Sequence, residues 1–277
     1  MNHFVTTNGI QLHVLEKPGI EPTVLLAHGL TANAHSFGAL MAALPYRVLA
    51  ADLRGRGQSD APVSGYTMPD HAADLIGLLD ALELEQVVMG GHSFGGLLTA
   101  YTAVHHPQRV RQCIIIDAGL MHPQVRELIT PSLARLGQTY PSWAAYRDTV
   151  KAAPYWHGQW DDDIEAYYRA DVRQHADDTI TPIPTPAAIA EAAGKGLGLN
   201  WLEMLARLPQ PTLLLNGPVA YGVPGTPAIV PTDLAEQTAA IIPHCRLVSI
   251  PGNHMTMLFG ENARLMAEAI EEFVGRF

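Results

Sequence analysis

The 277-residue sequence predicts an α/β protein, with a mostly parallel central sheet flanked by helices and an inserted helical cap. Three observations carry that expectation. Short runs rich in Val, Ile and Leu alternate with segments of helical spacing, the pattern of strands covered on both faces by helices. The chain opens with two such runs on either side of Asn8-Gly9, a dipeptide suited to a tight hairpin turn. One long interval then breaks the alternation.

Phe4–Thr6 and Leu12–Leu15 read as the strands of the opening hairpin. Thr23–Ala27, Arg47–Ala51, Gln86–Met89, Cys113–Ile116, Thr212–Leu215 and Arg246–Ile250 are mostly continuous in apolar residues, as strands of a buried parallel sheet would be. His71–Leu82 repeats Leu75, Leu78, Leu79 and Leu82 at helical spacing. Leu97–His106 runs up to Pro107, which cannot continue a helix. Glu261–Phe273 closes the chain as an amphipathic helix.

The interval from Ala118 to about Leu208 shows no clear strand and holds all four Trp and five of the nine Tyr. The chain is therefore divided into a core of residues 1–117 and 209–277 and a helical cap of residues 118–208. Within the cap, Asp161–Asp163 precedes Ile164-Glu165-Ala166 and reads as a helix N-terminus, where carboxylates meet free amides. The nearest histidines lack the spacing of metal ligands, so no metal site is expected there.

Composition excludes several classes. Seventeen Lys+Arg against twenty-seven Asp+Glu leaves a net charge of −10. No Lys/Arg run exceeds two residues, so a nucleic-acid surface is not expected. An apolar content of 48% argues against disorder. No apolar stretch approaches the roughly 18 residues of a membrane span, and the first residues show neither a basic start nor an apolar leader. A cytoplasmic location and no membrane partner are expected. Cys113 and Cys245 are too few for a disulfide framework and read as buried free thiols. With no HExxH, CxxC or phosphate loop, no cofactor is expected.

The segment after Gln86–Met89 carries chemistry. Gly90-Gly91-His92-Ser93-Phe94-Gly95-Gly96 contains G-x-S-x-G between a strand and a helix. With seven Ser and twenty-four Gly in the chain, such a match arises by chance roughly 0.05 times. A strand-to-helix reversal this tight strains the central residue and leaves no room for side chains at Gly91 and Gly95. It lifts the Ser93 hydroxyl to the sheet edge, at the N-terminus of a helix that favours developing negative charge.

Here the chain resembles the α/β-hydrolase fold superfamily over essentially its whole length. Leu25-Leu26-Ala27-His28-Gly29-Leu30 is similar to that family's strand and oxyanion turn. Asp52-Leu53-Arg54-Gly55-Arg56-Gly57-Gln58-Ser59 resembles its D-x-R-G-x-G-x-S loop. Gly91–Gly95 resembles its nucleophile elbow, and Pro251-Gly252-Asn253-His254 its histidine loop. The resemblance implies Ser93 as nucleophile and His254 as general base. It implies that the backbone N–H groups of Leu30 and Phe94 hold the oxyanion, each worth about 3 kcal/mol in comparable sites. His28 and Gly29 would support that turn, and Arg54 would brace its own loop.

The chain departs from the family at the acid. Where most relatives carry Asp after the seventh core strand, it reads Asn216-Gly217-Pro218-Val219-Ala220, and no carboxylate occurs between Glu203 and Asp233. Some superfamily members, including certain haloalkane dehalogenases, place the acid after strand six, where this chain has Asp117 at the end of Ile114-Ile115-Ile116. Asp117 is the favoured third member, with Asp233 or a water or carbonyl substitute as alternatives.

Ser at the elbow excludes the branches that use a carboxylate nucleophile, leaving acyl transfer through a covalent intermediate. The leading expectation is a hydrolase of small to medium carboxylic esters, with a small-molecule ester as its partner. Met121, Trp143, Trp156 and Trp160, with Tyr155, Tyr167 and Tyr168, would roof an apolar pocket or else form the cap's own core. A C–C bond hydrolase of meta-cleavage-type diketone acids is one alternative. A non-catalytic or slow ligand receptor on the same fold is another.

Overall fold

The apolar runs pair into one eight-stranded sheet in a computed structural model that describes residues 1–276. Its strands are β1 (Asn2–Thr7), β2 (Ile10–Lys17), β3 (Ile20–Ala27), β4 (Tyr46–Ala51), β5 (Val87–His92) and β6 (Val110–Ile116), completed by β9 (Thr212–Asn216) and β10 (Cys245–Ser249). The spatial order is β1-β2-β4-β3-β5-β6-β9-β10. The β1–β2 and β2–β4 pairs are antiparallel and every other pair is parallel. Strand order therefore reverses around β3, and a crevice forms at such a switch point beyond the carboxyl ends of the strands.

Register decides what meets at that edge. Ala27 of β3 lies opposite Gly91 of β5, His92 opposite Ile116 of β6, and Ile116 opposite Leu215 of β9. Ser249 of β10 lies opposite Asn216. The residues that follow these positions, at 28–30, 93, 117, 217 and 251–254, emerge along one line.

Alternate residues of the central strands face opposite cores. Val24, Leu26, Ile114, Ile116, Leu213 and Leu215 pack with Leu40 of α1 (Gly38–Ala43) and Met266 and Ile270 of α11 (Gly260–Val274). Leu25, Ala27, Cys113, Ile115 and Leu214 pack with Leu75 and Leu78 of α2 (Met68–Ala81) and Leu97 and Leu98 of α3 (Phe94–His105). Thr67 starts α2 with a reciprocal capping box to Asp70, which satisfies two amides that have no intrahelical partner. Cys113 is buried and Cys245 half-buried, and both are free thiols. No helix of the described residues is long and apolar enough to cross a membrane.

Residues 118–208, between β6 and β9, carry α4 (Val125–Leu128), α5 (Thr130–Leu133), α6 (Trp143–Lys151), α7 (Asp162–Arg169), α8 (Pro186–Gly196) and α9 (Trp201–Ala206). Asp161 caps α7 by accepting from the Ile164 amide at 2.8 Å. The interval read as strandless does contain a short antiparallel ribbon, β7 (Val172–Gln174) with β8 (Ile180–Pro182). Its turn is built by Asp177, which accepts from the Thr179 amide, and by Asp178 at φ +63°. Three-residue strands of mixed polarity carry no two-residue apolar alternation, so periodicity does not reveal them. The last helix before β10 is α10 (Thr232–Ile241).

Two glycines set the strand-to-helix reversal after β5. A Cβ at Gly95 would stand 1.9 Å from the Ala27 carbonyl oxygen, and one at Gly91 would stand 2.2 Å from the Gly95 carbonyl oxygen. The obstruction is backbone in both cases and cannot rotate away. Gly95→Ala is expected to destabilise the fold by about 3 kcal/mol or more. Thermal denaturation should show a fall of roughly 6 °C or more, whereas an unchanged melting temperature would contradict this packing.

Candidate active site

Ser93 joins β5 to α3 with φ +54° and ψ −117°, a conformation non-glycine residues adopt only when their surroundings force it. Its amide donates to the Ile116 carbonyl at 2.9 Å, tying the turn to the neighbouring strand. Phe94, the first residue of α3, supplies one of the helix's N-terminal amides that have no intrahelical acceptor. Ser93 and Phe94 line a cavity together with Gly29, Leu30, Met121 and His254.

His254 lies in the loop between β10 and α11, and its Nδ1 is 2.6 Å from Oδ2 of Asp117. Asp117 follows β6 and is fully buried. Its other oxygen accepts from Asn216 Nδ2 at 3.0 Å and from the Gly217 amide at 2.9 Å. The carboxylate is thus held by three donors and aimed at the imidazole. Asp233 is exposed in the first turn of α10 and belongs to a different pocket, so it does not serve His254. Asn216 stands at the end of the strand where the family pattern expected a carboxylate nearby, and it contributes an amide to a carboxylate from the adjacent strand.

Two buried side chains hold the histidine loop. Asn253 accepts from the Met255 and Thr256 amides and donates to the Tyr155 carbonyl. His92 Nε2 donates to the His254 carbonyl at 2.8 Å, with the two rings 4.4 Å apart. Burial and the neighbouring imidazole hold His92 well below the usual histidine range, so it stays neutral. Sequence reading passed over His92, whose place beside Ser93 in the elbow was the signal available.

The turn after β3 is held carbonyl by carbonyl. The Gly29 carbonyl accepts from His28 Nδ1 at 2.8 Å and from the Ala32 amide at 3.1 Å. The Leu53 amide donates to His28 Nε2 at 2.9 Å, which fixes the tautomer with the proton on Nδ1. C=O and N–H of a trans peptide point in opposite directions, so anchoring the Gly29 carbonyl aims the Leu30 N–H the other way. The Leu30 carbonyl accepts from Arg56 Nε at 3.0 Å and the Thr31 carbonyl from Arg135 Nη2 at 3.0 Å. Arg54 is occupied by a two-pronged bond to Asp74 and braces its own loop.

Arg135 was not singled out in the sequence, where nothing marks it among the cap residues. It is buried, lines the cavity, and pairs with buried Asp171 at 2.9 Å, with Tyr146 Oη as a third partner. The pair bridges cap and core through Thr31. Breaking a buried ion pair on one side strands the other charge and costs about 3–5 kcal/mol. Asp171→Asn is expected to lower stability by that order in urea denaturation, and an unaltered midpoint would count against the clamp.

The expected pocket residues divide. Met121 lines the cavity, but Trp143, Trp156 and Trp160 do not. Trp156 is fully buried, packs edge-on to Phe259 at 5.4 Å, and donates its indole N–H to Tyr168 Oη at 3.2 Å. Trp160 stacks on Tyr168, and Trp143 lies under the Arg169 guanidinium at 3.6 Å. A small cap needs these large surfaces for its own core. Of the aromatics named in the sequence, Tyr155, Tyr167 and Tyr168 line the cavity, joined by Tyr221, Val125, Ile129, Leu133 and Leu258. Tyr221, absent from the sequence-level candidates, meets the His254 ring edge-on at 5.7 Å.

A nucleophile elbow, an adjacent amide-lined turn and a carboxylate-supported histidine at one sheet edge define the class of an α/β hydrolase. The family described as alpha/beta hydrolase fold matches residues 22–261, and the chain belongs to that family. The chain is 28% identical to 2-(acetamidomethylene)succinate hydrolase of Mesorhizobium japonicum over 261 residues, 91% of this chain and 88% of that protein. A solved E-2-(acetamidomethylene)succinate hydrolase superposes with a TM-score of 0.86 at 25% identity, covering 99% of each chain. Epoxide hydrolase 2 of Siraitia grosvenorii is 35% identical over 129 residues, which span 44% of this chain and 40% of that protein.

Burial drives the His28 pKa down to about 4. A histidine depressed on folding stabilises the fold above its unfolded pKa near 6.5 and loses that contribution as pH falls toward the folded value. His28 alone accounts for about 3 kcal/mol between pH 6.5 and 4. Melting temperature should fall over that window, and His28→Gln should flatten the slope. An identical slope in the variant would remove the assignment.

Proposed function

We propose that the protein is a serine hydrolase that cleaves carboxylic esters through an acyl-enzyme. The observation that carries this reading is Ser93 on a strained elbow, in one cavity with a His254 ring whose other nitrogen is held by buried Asp117. Ser93 Oγ attacks the ester carbonyl as His254 Nε2 takes its proton. The oxyanion receives the Leu30 and Phe94 amides. The carbon–oxygen bond then breaks, and the alcohol leaves with the proton from His254. Water attacks the acyl-enzyme by the same route and releases the acid and free Ser93. Asp117 keeps the ring in the productive tautomer and stabilises the imidazolium. Serine at the elbow weighs against epoxide opening, which in this fold uses a carboxylate nucleophile.

A second reading, hydrolysis of a substrate that carries carboxylates, is favoured by Arg135 in the cavity wall and by the near full-length relative. A C–C hydrolase of diketone acids would fall in this class. Asp171 already offsets the Arg135 charge, and the remaining wall is largely aliphatic and aromatic, which favours a neutral ester. Vestigial chemistry on a ligand receptor is disfavoured by the three donors that hold Asp117.

Steady-state hydrolysis of p-nitrophenyl butyrate tests the assignment. Ser93→Ala should reduce turnover to background, and Asp117→Asn should lower kcat by about 10⁴-fold. The melting temperature of each variant should stay within about 5 °C of wild type. Wild-type turnover in Ser93→Ala would overturn the reading, as would turnover confined to unsaturated dicarboxylic acid derivatives.

A further inference from the structure

A second pocket adjoins the first. Met121, Val125 and Leu197 line both of them. On its far side the second pocket is lined by Leu97, Leu120, Trp201, Pro231 and Leu234, with His122 and Asp233 as its titratable groups. The two spaces differ in size. The cavity at Ser93 has a free volume of about 70 Å³, room for roughly five water molecules. The neighbouring trough is open to solvent and has about 800 Å³. A short acyl group fits the inner cavity, and the trough offers room for a chain of eight or ten carbons to continue.

The wall between them suits that passage. Met121, Val125 and Leu197 are each only partly buried, and a thioether and two aliphatic side chains can shift without breaking a polar contact. The adjoining helices α4 and α5 contribute no buried residue. Segments with so few buried contacts open at low free-energy cost. The trough wall is apolar where it meets the partition, and this matches a hydrocarbon chain better than a charged or sugar-like group.

We propose that this trough is the outer half of the substrate site, and that an unbranched apolar tail of the ester reaches it across Met121, Val125 and Leu197. The proposal rests on the ester-hydrolase reading for its substrate, but the trough can be tested without turnover.

Two measurements on the full chain decide it. The first compares kcat/KM for p-nitrophenyl acetate, butyrate, octanoate and decanoate, alongside a matched series of alkyl butyrates. Activity should rise with chain length in one series, which tells whether the acyl or the alcohol side occupies the trough. Leu234→Arg, at a residue lining only the trough, should lower the ratio of long-chain to short-chain kcat/KM by at least about fivefold. Leu234→Gln should lower it less, and melting curves check that both variants are folded. The second measurement titrates decanol and follows tryptophan fluorescence, since Trp201 lines the trough. Saturable binding should weaken in Leu234→Arg, and Trp201→Phe should remove the signal. Unchanged chain-length ratios in both Leu234 variants, or no saturable decanol binding, would overturn the proposal. Saturable decanol binding blocked by Leu234→Arg, in a protein that turns over no ester, would uphold the trough and reject the ester reading instead.

Discussion

The parallel register of β3, β5, β6, β9 and β10 is the constraint on which the site depends. Five strands end at about one level because Ala27, Gly91, Ile115, Leu214 and Leu247 lie side by side in the ladder. Each strand then delivers one component in the next one to five residues. A slip of one residue in any pair would carry its side chains to the opposite face and displace its component by about 3.3 Å. Val, Ile and Leu packed on both faces of the central strands hold the register against such a slip. The chemistry at the edge is therefore supported by burial far from it.

The same register explains how an acid can leave its usual strand. The ends of β6 and β9 are adjacent, so Asp117 and Asn216 stand beside each other beneath the histidine loop. In this chain the carboxylate comes from β6 and the amide from β9. Asn216 also donates to the Val230 carbonyl and so draws the long segment after β9 back against the sheet. Tyr221 in that segment meets the edge of His254. An Asp at residue 220 is thus not required for a carboxylate to meet His254, since the β6 carboxylate already reaches Nδ1 at 2.6 Å.

Cap and core share one device at the turn after β3. Consecutive carbonyls at Gly29, Leu30 and Thr31 are taken by His28, Arg56 and Arg135. Two of these donors come from the core and the third from the cap. Asn33 adds a bond to the Tyr167 carbonyl of α7. Orientation of the Leu30 amide is therefore coupled to cap position.

The eight strands of the sheet, the helices α2, α3 and α11, the elbow at Ser93, the histidine loop and the place of Asp117 were legible in the sequence. Each depends on local chemistry: apolar period, glycine where backbone approaches backbone, and a short polar motif at a strand end. For Met121 and the aromatics of residues 118–208 the sequence left two places open, the wall of a pocket or the cap's own core. Composition shows that large rings must be buried, but it does not say against what. Only the tertiary structure decided that the Trp156, Trp160 and Trp143 indoles pack against Phe259, Tyr168 and Arg169 while Tyr155, Tyr167, Tyr168 and Tyr221 line the cavity. Likewise it alone paired Arg135 with Asp171, 36 residues along the chain, and brought the Arg135 guanidinium to the Thr31 carbonyl. Contacts between distant segments depend on how helices dock in space, and neither residue carries a local signature of that docking.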